Sequence, residues 1–131
     1  MSKSLKSQVS IEFIALVSFL LLLLILSVYS SSSQLFHQIF IRRYNKAEIL
    51  CKYLQDEINL ALKAGDGYRR SFFLPLSLEG SNYEIILDNY TLYIKWGNYQ
   101  TSCFVPIESI NGKIKKGWNK IKVLKNEIYI E

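Results

Sequence analysis

The sequence predicts an α+β protein: a long N-terminal helix whose later part packs on a C-terminal antiparallel β-sheet domain. Three observations carry that prediction. Residues 13–41 contain no Asp, Glu, Lys or Arg, whereas the chain from Arg42 onward has an ordinary soluble composition. All six glycines and both prolines lie in the second half, beginning at Gly65, so the first 64 residues hold no strong helix breaker. Beyond Gly67 the apolar residues change to a two-residue period. At 131 residues the chain has room for one compact domain and an appendage, not for two full domains. Half its residues are hydrophobic and 21% are charged, which excludes general disorder.

The first element is the apolar helix. Residues 13–29 are almost purely lipid-soluble side chains. A helix needs about 20 such residues to cross a hydrocarbon core of about 30 Å. Val9 to Ile11 at one end and the uncharged serines at the other complete that span. By composition Ser30 to Ser33 suggest a linker, hinge or break, yet the helical pattern continues beyond them. Leu35, Phe36, Ile39, Phe40, Ala47, Leu50, Leu54, Ile58 and Ala61 recur at steps of three, four or seven. Polar residues, among them Arg43, Lys46, Lys52, Gln55 and Lys63, fall between them and make one apolar stripe on a polar rod. The same periodicity is read as turning Asp56 and Glu57 to solvent. Gly65-Asp66-Gly67 supplies the stop, with Lys63 in the last turn. One helix over residues 9–64 is about 80 Å long, more than any membrane, so its first part can lie in lipid while its second seats a domain.

Charge placement says more than the net +5. Lys3 and Lys6 precede the apolar run and Arg42, Arg43 and Lys46 follow it, so the positive-inside rule gives no clean topology. Glu12 stands out. A carboxylate beside a lipid-facing run costs a few kcal/mol near the bilayer centre and less at its edge. It is either solvated at the interface or placed to meet a cationic partner.

Here a wider match enters. Lys6-Ser7-Gln8-Val9-Ser10-Ile11-Glu12-Phe13, followed at once by the apolar run, resembles the Q-x-S-x-E-F signature of archaeal class III prepilin-like proteins, members of the type IV pilin superfamily. The resemblance implies a basic leader, residues 1–7, removed by a membrane prepilin peptidase between Ser7 and Gln8. Gln8 then becomes the mature N-terminus and Glu12 its fifth residue, with Ser10 and Phe13 completing the processing and assembly motif. Family members usually carry Gly or Ala before the Gln; Ser7 keeps the small size. The specific match covers about eight residues, and the likeness in architecture covers the whole chain. It implies a type IV pilin-like division into an apolar membrane and filament-core helix (8–33), an amphipathic extension (34–66) and a β-sheet domain (67–131). The implied partners are the peptidase, other pilin subunits in a homopolymer, a pilus assembly ATPase and its membrane platform protein. The implied locations are the cell membrane for the precursor and a filament on the cell surface after assembly.

The motif has its own chemistry. Cutting before Gln8 creates an amine, with an ordinary pKa of about 7.7–8.0, a few residues from Glu12. The amine and carboxylate can meet within one helix, or a neighbouring helix shifted along the axis can present its amine. In low dielectric such a pair is worth far more than at a surface, and either charge alone is expensive. The expectation is that Glu12 of one subunit pairs with the Gln8 amine of the next and sets their stagger. Pyroglutamate formation at Gln8 would remove that amine.

The β elements follow. Phe72, Leu74, Leu76 and Leu78 alternate with Ser71, Phe73, Pro75 and Ser77, a strand that Pro75 assigns to an edge. Tyr83, Ile85 and Leu87 lead through an Asp88-Asn89 turn to Tyr90, Leu92, Ile94 and Trp96. Gly97-Asn98 turns into residues 99–105, and residues 119–124 and 127–131 pair around Lys125-Asn126. Five or six short strands predict one antiparallel sheet, covered by the helix stripe between Leu35 and Leu62. Nine tyrosines and two tryptophans suit core or cross-strand pairing, with a sugar-stacking surface as the alternative. Six lysines between Lys113 and Lys125 read as the wet face of a strand pair rather than a nucleic-acid patch, since no aromatic platform accompanies them. Cys51 falls on the helix and Cys103 on a strand. In a domain expected outside the membrane they form either a bridge between helix and sheet or two buried thiols. Asn89-Tyr90-Thr91 is a glycosylation sequon at the expected hairpin tip.

Catalysis finds little material. His37 lies on the apolar-flanked part of the rod, and no Gly-rich phosphate loop or metal spacing occurs. The expectation is no enzyme, no cofactor, no metal and no nucleic-acid partner. A filament subunit is the leading function. A conventionally secreted binding protein, cut at the serines, and a permanently anchored single-pass protein are the alternatives.

Overall fold

The computed structural model describes the backbone of residues 2–131 and the side chains of residues 9–131 except Ser33. Helix α1 spans Ser2–Ala64 and runs without a break through the serines. Seven strands follow: β1 (Arg69–Leu74), β2 (Glu84–Asp88), β3 (Thr91–Trp96), β4 (Tyr99–Phe104), β5 (Asn111–Gly112), β6 (Gly117–Leu124) and β7 (Glu127–Ile130). The α+β class read from the sequence is the fold observed. Its contacts divide into two compact units, Met1–Phe40 and Ile41–Glu131.

The second unit holds the core. From its helical part Ala47, Leu50, Cys51, Leu54, Ile58 and Ala61 are buried, at steps of one, three and four that keep them on one stripe. They join Phe72 and Leu74 of β1, Ile121 and Val123 of β6, and Ile128 and Ile130 of β7. Leu92, Ile94 and Trp96 of β3 complete the cluster, with Leu78, Tyr83 and Val105 from the connections. The expected stripe is thus shorter at its start: Leu35 and Phe36 are exposed, and burial begins at Ala47.

Two sheets replace the single sheet expected. One has the order β1-β6-β7-β5 and the other β2-β3-β4. All pairings are antiparallel except β5 with β7, where Asn111 and Gly112 run parallel to Tyr129 and Ile130. Gly112 is required there, because a Cβ would stand 2.0 Å from the Ile130 carbonyl oxygen. The first strand is also shorter than expected. It ends at Leu74, because Pro75 offers no N–H to continue the ladder, and Leu76 is left 69% exposed. β1 is nonetheless an edge strand.

The hairpin after β2 turns one residue later than expected. Asp88 pairs with Thr91, and the two-residue turn is Asn89-Tyr90, with φ of 45° and 62°. Lys125-Asn126 turns the β6–β7 hairpin the same way, at 51° and 65°. Positive φ at both central residues marks the turn whose twist matches paired strands.

Candidate functional site

The part of the molecule that is not explained by a globular core is the apolar length of α1. Its large side chains from Val9 to Tyr29 are 37–80% exposed, so they point all round the helix rather than onto one stripe. By length and composition this helix is able to cross a membrane. Its hydroxyls fit that environment. Ser18 donates to the Ile14 carbonyl at 2.8 Å, Ser27 to Leu23 at 2.9 Å, Ser31 to Ser27 at 3.0 Å and Ser32 to Val28 at 3.1 Å. Each bond returns one turn along the helix and satisfies a donor that would otherwise cost free energy away from water.

Glu12 heads this stretch and is exposed, as are Ser10 and Phe13 of the same motif. It is the only carboxylate before Glu48. The side chains of Ser7 and Gln8, on which the expected cleavage and the expected pairing with Glu12 fall, lie outside the described residues. His37 is exposed on the helix surface.

The other candidate residues belong to the second unit. Cys51 and Cys103 form a disulfide, Cα to Cα 6.1 Å, which resolves the choice between bridge and thiols and ties the helix to β4. Asn89 is exposed at the hairpin tip. Lys120 and Lys122 project from the outer face of β6, as a wet strand face requires, with Lys122 2.8 Å from Glu131. That contact holds the Glu131 carboxyl below the usual range. Trp118 shares that face. It is 73% exposed and meets Phe73 edge-on at 5.4 Å, so aromatics do accompany these lysines.

Like the Lys122–Glu131 pair, two further ion pairs were not read from the sequence. Lys46 and Glu79 form one, and the Lys46 ammonium, through its hydrogen bond first and its charge second, lowers the Glu79 pKa. Arg43 adds a bond to the Glu79 carbonyl at 3.3 Å. The other corrects the placement of Glu57, which is buried at 5% exposure rather than turned to solvent. One of its oxygens lies 3.4 Å from Arg70 Nη2, and the other has no hydrogen-bond partner. Burial first, then the charge of Glu57, raises the Tyr53 hydroxyl above its ordinary pKa. The signal for Glu57 was present: it stands three residues after Leu54 and four before Ala61, on the buried stripe itself. Among the described residues no three or more His, Cys, Asp or Glu side chains converge as a metal site would need.

The chain matches no protein-family model, no curated protein and no solved structure.

Proposed function

We propose that this protein is a structural subunit of an archaeal type IV pilus-like filament, held in the membrane by its apolar helix before assembly and packed through that helix afterwards. The observation that carries the reading is the head of α1. One carboxylate, Glu12, stands in a Q-x-S-x-E-F motif, and the next 29 residues, 13–41, carry no charge. A helix apolar on every side is as well accommodated by copies of itself as by lipid, so the exchange carries little penalty. Glu12 makes the exchange directional. Once the leader is removed, the Gln8 amine of one subunit neutralises the carboxylate of the next, and this pairing fixes their axial stagger. Repetition of one head-to-tail contact gives an open helical polymer, with the sheet domains outside.

The intact mass of protein isolated from its own cells tests this. The expected chain begins at Gln8, with or without loss of ammonia from the terminal Gln. A chain that keeps Met1, or that begins after the serines, overturns the proposal. The pairing is tested separately by Glu12→Leu, which is expected to enter the membrane normally and to accumulate there instead of in fibres. Assembly of that variant at the normal rate would falsify the role given to Glu12.

A further inference from the structure

The two sheets leave an opening between them. β2 is the outer strand of one and β5 the outer strand of the other. Ile85, Ile86 and Leu87 of β2 face Ser109, Ile110, Gly112, Lys113 and Ile114 across a cavity of about 390 Å³. It adjoins a second cavity of about 580 Å³, reaching Tyr83, Lys115 and Lys116, with four wall residues in common. The backbone of β2 is unused on this side. In a two-residue hairpin the closing pair, Asp88 and Thr91, is hydrogen-bonded, and bonding alternates from there. Ile85 and Leu87 therefore turn their N–H and C=O groups away from β3. Among the described residues no backbone hydrogen bond joins them to residues 109–116.

An open edge with three consecutive apolar residues invites pairing; β2 carries no Pro, and its two charges, Glu84 and Asp88, stand at its ends outside that apolar stretch. The opposite wall is already held in place. The buried Asn119 accepts from the Lys115 N–H at 2.8 Å and donates to its carbonyl at 2.6 Å. Lys116 bonds Asn82 and lies over the Tyr83 ring. The wall of the larger cavity sets one acid, Glu84, against Lys113, Lys115 and Lys116, and among the described residues Lys113 and Lys115 form no ion pair, so the rim is cationic on balance.

We infer that this opening is a docking slot in which an extended acidic segment of another protein adds a strand to β2. Its backbone would pair with Ile85 and Leu87, alternate apolar side chains would meet Ile110 and Ile114, and carboxylates would meet Lys113 and Lys115. This chain's own apolar segments flanked by acids, residues 84–88 and 127–131, are already committed to β2 and β7, so the occupant comes from a different chain. The inference does not depend on the filament reading.

The test uses the full chain in detergent micelles and the peptide acetyl-Thr-Glu-Ile-Glu-Val-Glu-Ile-Thr-amide. Fluorescence anisotropy is expected to show saturable binding, and hydrogen exchange to show slowing at the Ile85 and Leu87 amides. Lys113→Glu with Lys115→Glu, at exposed positions that leave the core intact, is expected to weaken binding about tenfold or more. N-methylation of alternate peptide residues, which blocks pairing, is expected to abolish it. Absence of binding at millimolar peptide overturns the inference. So does binding that leaves Ile85 and Leu87 unprotected, or protection that grows with protein concentration alone, which would place a second copy of this chain in the slot.

Discussion

Glu57 shows how one buried charge constrains a small domain. Its carboxylate is taken from water, yet only one oxygen faces a cation, and Arg70 keeps about half its side chain in solvent. Such a pair adds little net stability over an apolar pair, but losing one partner leaves the other stranded. Arg70→Ala is therefore expected to destabilise the second unit by about 1–3 kcal/mol, read as a lower unfolding midpoint of the full chain in detergent. Glu57→Gln should cost less, since the amide needs no counter-charge. The double variant should fall well short of the two single losses combined, as expected for residues in contact. If the losses simply add, the two side chains are not coupled. At this scale the sequence was partly legible. Glu12 stood out because no other acid occurs before Glu48. Glu57 was hidden by its residue type, although its spacing from Leu54 and Ala61 already placed it on the buried stripe.

At the level of elements, the disulfide links the two kinds of secondary structure. Cys51 and Cys103 are 52 residues apart, so the bridge closes a loop containing β1, β2 and β3. Chain-entropy reasoning gives about 4 kcal/mol for a loop of that size, with measured effects commonly about 2–4 kcal/mol. Cys51→Ser with Cys103→Ser is expected to lower stability by that amount, and reduction of the wild-type chain should reproduce the shift in a thermal melt. An unchanged melt would mean that the helix stripe and sheets hold without the bridge. Helix, strands and hairpins were readable because period and turn residues are local signals. The division into two sheets was not, since it rests on β1 pairing with the distant β6 rather than with β2; β5 was missed as well, a two-residue strand that pairs parallel to β7. No local period announces so short a strand. The turn at Asn89-Tyr90 was displaced by one residue because Tyr90 looks like a strand residue, while the pairing of Asp88 with Thr91 puts it at positive φ.

For the molecule as a whole, the contrast between its two units makes a direct physical prediction. Ile41–Glu131 has its own buried core and a disulfide, and outside the opening beside β2 its exposed apolar side chains are a minority of its surface, as is ordinary for a folded domain. The apolar side chains of α1 from Val9 to Tyr29 have no such cover. Burying a Leu, Ile, Val or Phe is worth about 1.5–3 kcal/mol, so these side chains together favour an apolar phase by tens of kcal/mol. A single carboxylate at the edge of the run, costing about 2.5–3.5 kcal/mol even at a bilayer centre, cannot reverse that preference. The full chain is therefore expected to enter the detergent-rich phase when a Triton X-114 solution is warmed. A chain beginning at Ile41 is expected to stay in the aqueous phase with Cys51 and Cys103 still joined, as non-reducing mass measurement would show. If the shortened chain follows the detergent, the second unit presents more apolar surface than its core accounts for. If the full chain stays in water, some cover of α1 must hide these side chains, and the membrane part of the functional reading fails with it.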